Sequence, residues 1–589
     1  MRAKALAGVA VVAQSLASDA ALDGGAGAGS SDDGDDTPAR VRMLLNLTAS
    51  LALRSPGATP GVGATGGAGS GQNTATTPGS GLARAGGVTP AHGLKTPGRG
   101  PSNTPEDANL AAAAGNESPV GTPMSPAEMQ EHASASLLPL ARKRTSDAKF
   151  AVRRAALGLL ESLLALSRAP PAKADSAVAA TACGDALVTV RKQGLALCTN
   201  ALRRHPSKDS ARLWLHAALP LVNDVESSLQ EKTLNVFEEM LIGALADPQL
   251  VMQLTGATGD KAAALAVRPS ARALPLLAEL PLVGSAAARN IGVALQLLQQ
   301  RKRLKSSALA RACQRVVDAA AEDGASSRFG AAVEGAWIVL HQLSAIDGGC
   351  VPWKFLEPAW TAAAATSPES AGAQRVHLLV AKTMAHAARN LKAGEAARVA
   401  TAVHAPLVAL SIDPSLVGPY VRVLDRIAIS SETRTDDPSV RWLTSSHKWT
   451  YEVTEKCTTL LRTFCAPIVG GAAESGASAV AQGEVIAALG LLGEASLVHP
   501  PAVPRDASTL VQAIAVPPSG HDGACPAHVS THAWTCLGKL CLTDERFAKS
   551  AAPLFAQCVS RSSGKAAAPP ACRNNAALAL CDLCITGTG

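Results

Sequence analysis

The sequence predicts an all-α fold built as a solenoid, in which successive helix pairs stack into one elongated array. The first observation is a repeat: residues 147–164, 185–202 and 224–241 share acidic, basic or amide, and apolar positions and begin about 38 residues apart. Second, apolar residues in each segment recur at spacings of three and four, as on one helix face. Third, 47% of the residues are hydrophobic but only 3% aromatic, so Ala, Leu and Val must fill the core.

A helical unit of this length is typical of HEAT and armadillo repeats. A helix pair with one apolar stripe leaves that face in water, so neighbouring units must stack and stability becomes a sum of unit and interface contributions. Asp147, Asp185 and Asp224 come just before the three repeated helices. A short carboxylate at this position can accept free backbone N–H groups and suits the positive end of the helix dipole, which predicts a capping role.

Composition divides the chain into five parts. The expected parts are a short helix at 1–22, a mostly disordered Gly/Ser/Thr/Pro-rich segment at 23–140 with a short helix near 41–53, HEAT repeats at 141–253, degenerate helical repeats at 262–466, and HEAT repeats at 484–589, truncated at the C-terminus. Segment 23–140 cannot bury enough apolar surface to offset its chain entropy, which predicts disorder. Arg2 and Lys4 before a short apolar run resemble a secretory signal, but the composition favours the end of a helical repeat.

Ser-Pro and Thr-Pro dipeptides punctuate the segment that is predicted to be disordered. They are candidate sites for proline-directed kinases, and Thr96-Pro97-Gly98-Arg99 adds a basic residue downstream. A composition rich in Ser, Thr and Pro would also produce such dipeptides without regulation, so both interpretations stay open. The candidate phosphorylation sites are Thr96, Thr104, Thr122 and Ser125.

The motif search favours a scaffold over an enzyme. The sequence has no phosphate-binding Gly-rich loop with Lys, no His-Glu-x-x-His and no nucleophile elbow, so neither catalytic residues nor a cofactor is predicted. It has no run of about eighteen apolar residues, so no membrane span is predicted. The 13 cysteines are scattered through helical segments, which is typical of reduced, buried thiols in an intracellular protein. Cys525, His528, Cys581 and Cys584 match a zinc ligand set in number, but buried core thiols are favoured and no metal is predicted.

Basic residues concentrate in residues 141–220, although the whole chain carries a formal charge of only +7. Equivalent repeat positions would line such cations up along one ridge, as a nucleic-acid backbone requires. Alternatively, the Arg of a HEAT-type repeat bonds to the Asp of the neighbouring unit as a structural ladder. The candidate DNA contacts are Arg142, Lys143, Arg144, Arg153, Arg154, Arg191, Lys192, Arg203 and Arg204. A second basic run at 301–305 fits a helix end, a DNA contact or an import signal.

Two separated blocks of the sequence resemble the HEAT-repeat D-type (D-three) subunits of condensin II. The first block includes Val190-Arg191-Lys192-Gln193, Leu219-Pro220-Leu221-Val222 and Asp224-Val225-Glu226-Ser227. The second includes Cys525-Pro526-Ala527-His528-Val529, Arg573-Asn574-Asn575 and Cys581-Asp582-Leu583-Cys584-Ile585. The two blocks resemble the family in the same order along the chain.

The resemblance implies a non-enzymatic regulatory subunit of condensin II, located in the nucleus on chromosomes and serving mitotic chromosome condensation and segregation. The implied partners are the kleisin subunit, the SMC ATPases, a second HEAT subunit and DNA or chromatin, with no membrane and no small-molecule substrate. Family members extend far beyond the Cys581–Cys584 segment, so the resemblance also implies a fragment. The alternative is a generic HEAT-repeat scaffold that binds protein, such as a nuclear transport receptor or a phosphatase regulatory arm.

Limited proteolysis tests the predicted disorder between residues 55 and 135. Because an unfolded segment enters a protease site without local unfolding, we expect the first cuts by a broad-specificity protease to fall there. N-terminal sequencing and mass spectrometry of the early fragments locate the cuts. First cuts inside the repeats after residue 140 would contradict the prediction.

Overall fold

A computed structural model describes residues 136–167, 169–247, 250, 270–323, 329–365, 370–431, 447–467, 481–516, 525–560 and 568–586. Several expectations therefore lie outside the described residues. They are the short helices at 1–22 and 41–53, the disordered segment up to residue 135, and the candidate phosphorylation sites Thr96, Thr104, Thr122 and Ser125.

The described residues fold into helices that follow one another in pairs, and no strand occurs among them. In chain order the helices are α1 (136–144), α2 (Phe150–Leu166), α3 (Lys173–Cys183), α4 (Val188–Arg204), α5 (Lys208–Leu213), α6 (Ser227–Phe237), α7 (Ser270–Val283), α8 (Ser285–Gln300), α9 (Ser306–Asp323), α10 (Gly330–Ile346), α11 (Trp353–Ala365), α12 (Ala371–Ala387), α13 (Ala393–Val408), α14 (Pro414–Ser431), α15 (Lys448–Cys465), α16 (Gln482–Val498), α17 (Ala507–Ala515), α18 (Ala527–Thr543), α19 (Glu545–Ser560) and α20 (Pro570–Thr586).

The helix pairs stack as a solenoid of two layers. One layer consists of even-numbered helices: α10, α12, α14, α16, α18 and α20 each pack on the next, as α2 does on α4. The odd-numbered helix of each pair packs against its even-numbered partner, for example α15 on α16 and α19 on α20. The predicted all-α solenoid is confirmed. The regular order changes at α7, which packs on both α5 and α10.

Irregular turns extend two of the helices in the third pair. A π turn at Trp214–Ala218 and a 3-10 turn at Leu219–Asn223 continue α5, and a π turn at Glu238–Gly243 continues α6. Pro220 lies at the start of the 3-10 turn, where its missing N–H and fixed φ end the α-helix. The turn 219–223 then packs against α6 and α8.

The apolar stripe predicted for the first repeat forms the core face of α2. Val152, Ala156, Leu159, Leu160 and Leu163 are buried, as a spacing of three and four requires. Helix α16 differs, because its buried residues form more than a single stripe and it is packed between α14, α15 and α18. A broad apolar surface is expected for a helix in the middle of a stack.

Cysteines fill the core in place of larger apolar side chains, and all 13 are free thiols. Cys198, Cys313 and Cys536 are completely or almost completely buried. The interpretation of Cys581 and Cys584 as buried core residues was wrong: both lie on exposed positions of α20. Their face of the helix is not covered by α18 or α19, the two elements that α20 packs against.

Two classes of site are not found among the described residues. No group of three or more His, Cys, Asp or Glu side chains converges in a way that could hold a metal ion. In the same part of the chain, every helix is too short or too polar to cross a membrane.

A glycine at the crossing of α7 and α10 gives a test of the packing. A Cβ on Gly335 would collide with the backbone carbonyl of Leu277, so Gly335→Ala must push two helices apart. We expect a loss of about 1–3 kcal/mol of unfolding free energy, measured by urea denaturation. Gly158→Ala is the matched control, since a Cβ there meets open space within α2 and should stabilise by roughly 0.5–1 kcal/mol. Equal unfolding midpoints for the two variants would contradict the close crossing.

Candidate functional site

The basic ridge that was predicted at the repeat positions is a ladder of ion pairs between neighbouring units. Arg153 binds Asp185 with two parallel bonds, from Nε to Oδ2 at 2.9 Å and from Nη2 to Oδ1 at 3.0 Å. A fork-to-fork pair of this kind is the strongest geometry that a guanidinium offers a carboxylate. Arg191 lies against Asp224 with the same two nitrogens, but only Nη2 donates a hydrogen bond, at 2.9 Å, while Nε lies 2.8 Å from the carboxylate without donating one. Each pair joins one helix unit to the next.

The same guanidinium groups also close the turn that precedes their own helix. Nη1 of Arg153 donates to the carbonyl of Asp147 at 3.0 Å, and Nη1 of Arg191 donates to the carbonyl of Asp185 at 2.9 Å. One planar side chain therefore fixes a turn in its own unit and a carboxylate in the next. A lysine could not do both, because its ammonium lacks the rigid fork.

The three repeated aspartates hold the turns before the helices. Oδ1 of Asp147 accepts the N–H of Lys149 at 3.0 Å, and Asp185 and Asp224 accept from Leu187 and Glu226 at 2.9 Å. The donating N–H belongs to the N-cap residue in each case. The predicted capping of the first helical turn is thus corrected to an Asx turn one step earlier. The carboxylates of Asp185 and Asp224 also bind the arginine of the previous unit.

The ladder changes its chemistry at the third unit. Gln230 stands where the first two units have Arg, and it donates from Nε2 to the carbonyl of Val222 at 3.0 Å. Its Oε1 accepts from Nη2 of Arg301 at 3.2 Å, so the following unit offers a cation instead of a carboxylate. Arg303 beside it pairs with Glu231 at 2.7 Å and also with Glu238. Two arginines of the basic run at 301–305 therefore face acids of the third unit.

The nine candidate DNA contacts fall into three groups. Five lie in ion pairs, which are Arg142–Asp175 at 2.7 Å, Arg144–Asp147 at 3.7 Å, Arg153–Asp185, Arg191–Asp224, and Arg203–Glu239 at 3.0 Å. Arg204 donates to the carbonyl of Ala165 and Lys192 to the hydroxyl of Ser228, both at 2.7 Å. Lys143 and Arg154 are exposed and form no ion pair with the described residues. The geometry of the paired arginines matches the structural ladder, and their contact with DNA stays a prediction.

Charge pairing keeps the ladder carboxylates ionised. Burial alone would raise the pKa of Asp185, but hydrogen bonds from Arg153 and the Leu187 N–H outweigh it and lower the pKa below the usual range. The pKa of Asp224 is lowered for the same reasons by Arg191 and the Glu226 N–H. Each pair therefore contributes its stability above the ordinary carboxyl pKa and loses it as the pH falls through the lowered value.

A second basic group lies on α12, on the 3-10 turn at Ala388–Asn390 that continues it, and on α14, where the sequence predicts no site. We call Lys382, Arg389, Arg422 and Arg426 the cationic cluster. Arg426 donates from Nη1 to the carbonyl of Ala385 at 2.6 Å and to Nδ1 of His386 at 2.9 Å. No ion pair joins any member of the cluster to the residues that the structure describes. A repeat interval in the sequence could have indicated the cluster. Arg426 follows His386 by 40 residues, and Arg422 follows Lys382 by the same interval.

The positive charge of the cluster helps to lower the pKa of two neighbouring histidines. Burial, with repulsion from His386, Lys382 and Arg422, lowers the pKa of His341 to about 4. Burial, with repulsion from Arg426 and Arg422, lowers the pKa of His386 to about 4. Their rings lie 5.3 Å apart. Both histidines are therefore neutral at pH 7, and the cluster's own cations provide the charge.

A single substitution tests the ladder. Arg191→Gln leaves the carboxylate of Asp224, which is only 8% exposed, without its cationic partner. We expect a loss of about 2–4 kcal/mol of unfolding free energy in urea denaturation. The control is Arg154→Gln on the same repeat sequence, which removes an exposed and unpaired cation and should change stability by less than about 0.5 kcal/mol. Equal effects of the two substitutions would exclude a structural ladder.

Comparisons with known proteins place these repeats in a family context. Residues 482–559 match the family model described as condensin-2 complex subunit D3-like HEAT repeats. The chain is 24% identical to condensin-2 complex subunit D3-L of Xenopus laevis over 485 residues, which cover 77% of this chain and 29% of that protein. It is 23% identical to condensin-2 complex subunit CAP-D3 of Arabidopsis thaliana, covering 76% of this chain and 37% of that protein. The chain thus spans about a third of the length of these curated relatives.

Solved structures with similar helical arrays are also found. The C-terminal fragment of the Chaetomium thermophilum cohesin loader SCC2 aligns with a TM-score of 0.47 and 15% identity, over 80% of this chain and 34% of that one. The S. pombe condensin Cnd3–Cnd2 subcomplex aligns with a TM-score of 0.30 and 12% identity, over 77% of this chain and 60% of that one. The family model and the curated relatives confirm the resemblance predicted from the sequence: this chain is similar to the D3 subunits of condensin-2.

Proposed function

We propose that this chain acts as a non-catalytic HEAT-repeat regulatory subunit of condensin II. In this role it binds the kleisin subunit and DNA, works with the SMC ATPases and the second HEAT subunit, and supports mitotic chromosome condensation and segregation in the nucleus. The observation that carries the proposal is the match of residues 482–559 to the D3-like repeats, within an alignment that covers 77% of the chain. Each of the two sequence blocks that carry the resemblance lies on neighbouring helix pairs: the first on α4 to α6, the second on α18 to α20.

The architecture supports a role in binding rather than in chemistry. A stacked array presents long continuous surfaces but makes each unit contact only its neighbours, which suits the docking of extended partners. The guanidinium groups of Arg153 and Arg191 bind carboxylates of the next unit and so join units. A generic scaffold of the nuclear transport or phosphatase type would have the same stacked architecture. The identity of the partners therefore distinguishes such a scaffold from a condensin subunit.

Affinity purification tests the proposed function. A tagged form of the full chain is purified from mitotic cells, and the proteins that accompany it are identified by mass spectrometry. We expect an SMC pair together with a kleisin subunit, at levels well above those in a purification with the tag alone. Transport cargo or a phosphatase catalytic subunit in their place would contradict the proposal, as would the absence of any SMC protein. Imaging of the same tagged chain should show it on mitotic chromosomes.

A further inference from the structure

We propose that the cationic cluster on α12 and α14 contacts the phosphate backbone of duplex DNA. The inference rests on the proposed function, in which DNA is a partner of this chain, but it assigns the contact to a surface that the sequence analysis did not select. The members that carry it are Lys382, Arg389, Arg422 and Arg426. The class of ligand is a nucleic-acid backbone that is read by charge rather than by sequence.

The cations of the cluster differ from those of the ladder in how their charge is paired. In the ladder, Arg153 and Arg191 each face a carboxylate at hydrogen-bonding distance, so little of their positive charge is left for a ligand. In the cluster no described carboxylate forms an ion pair with any of the four cations, although Asp425, which lies 3.1 Å from Nε2 of His447, attracts Arg426. The net charge of a segment therefore misleads, because only charge without an internal partner attracts an anion from outside.

The cations of the cluster repel one another. Burial and the charge of Arg422 lower the pKa of Lys382, and burial with the charges of Arg389 and Arg422 lowers the pKa of Arg426 although Asp425 opposes the shift. Like charges held together on a rigid scaffold raise the free energy of the empty protein. An anion that lies across them removes that repulsion, which is why such a group favours a ligand of opposite charge.

The four cations are spread over an area that fits an extended ligand. Lys382 on α12 and Arg389 on the turn that follows it are separated by about two helical turns, or roughly 10 Å. The arginines of α14 lie on the next even-numbered helix, and packed helices are about 10 Å apart. Four cations spread over such an area match a ligand whose charges are also spread out, as on duplex DNA with about one charge per 1.7 Å of helix axis. A single phosphate group would need the cations to converge on one point.

The exposed members can reach such a ligand. Arg389 and Arg422 are exposed, and Arg426 is partly buried. The guanidinium of Arg426 is held through Nη1 alone, by the carbonyl of Ala385 and by His386. Its Nε and Nη2 make no hydrogen bond within the described part of the chain. One nitrogen thus anchors the group, and two remain without a partner among the described residues.

Two variants of the full chain with equal change in charge test the inference. The cluster variant carries Lys382→Gln, Arg389→Gln and Arg422→Gln, and leaves Arg426 in place because it helps to join α12 and α14. The control variant carries Lys143→Gln, Arg154→Gln and Lys192→Gln, which removes three cations from the surface that the sequence analysis favoured. Thermal unfolding of both variants must match the parent chain, so that a change in binding reports the contact.

Binding of a labelled 40-base-pair duplex is titrated at several salt concentrations. We expect the cluster variant to weaken binding at least tenfold at low salt, and to reduce the slope of log affinity against log salt by about 2–3. The control variant should change the slope by less than about 1. Equal losses in both variants, or a loss confined to the control variant, would overturn the inference and leave the proposed function standing.

Two further outcomes are distinguishable. Absence of salt-dependent duplex binding by the parent chain would remove DNA from the proposed function itself. A parallel titration uses a synthetic peptide of residues 92–108 that is phosphorylated at Thr96 and Thr104. If the cluster variant loses affinity for this peptide but not for the duplex, the cluster binds a phosphopeptide and the assignment to DNA is wrong.

Discussion

Close stacking of one helix pair on the next is the constraint on which the rest of this structure depends. Each unit buries one stripe against its neighbour, and at the tightest crossings the contact needs a residue without a side chain. A Cβ on Gly194 would lie 2.7 Å from the backbone nitrogen of Cys183, and one on Gly538 would lie 2.9 Å from the Cβ of Ala579. These approaches explain a core made of Ala, Leu, Val and Cys with few aromatic residues, because small side chains let helix backbones come together.

Ion pairs add register to this packing rather than most of its stability. Desolvation of Arg191 and Asp224 offsets much of their attraction, so the net contribution of a buried pair is small even though breaking it is costly. The more informative property is specificity: a fork that must meet a carboxylate in the next unit permits only one sliding position. At Gln230 the contact between units changes, because this amide accepts a hydrogen bond from Arg301 instead of donating to an acid.

Periodicity predicted the fold well because it reports a physical requirement that every unit shares. The stripe from Val152 to Leu163 is buried as expected, and the structural alternative for Arg153 has the geometry of a ladder. Two features escaped the sequence. Cys581 and Cys584 lie on an exposed face of α20. Exposure of a helix face depends on the elements that pack against it, and the residues of the helix alone do not determine it. The cationic cluster brings together residues 40 positions apart, in a region where the repeat motif had become too weak to align.

The contrast between the two basic regions shows why the density of charge in a sequence is a poor guide to an interface. Residues 141–220 are rich in arginine because arginines join each unit to its neighbour, and some of the carboxylates that pair with them lie beyond the segment, as Asp224 does for Arg191 and Glu239 for Arg203. A charge count within the segment leaves out these partners and so overstates the positive charge that is unpaired in the fold. In the cluster the fold brings Lys382, Arg422 and Arg426 together, and none of them forms an ion pair with a carboxylate of the described residues. A solenoid can thus hide its charge in one place and expose it in another, and it is the stacking of the helices, more than composition, that decides where an anionic partner can dock.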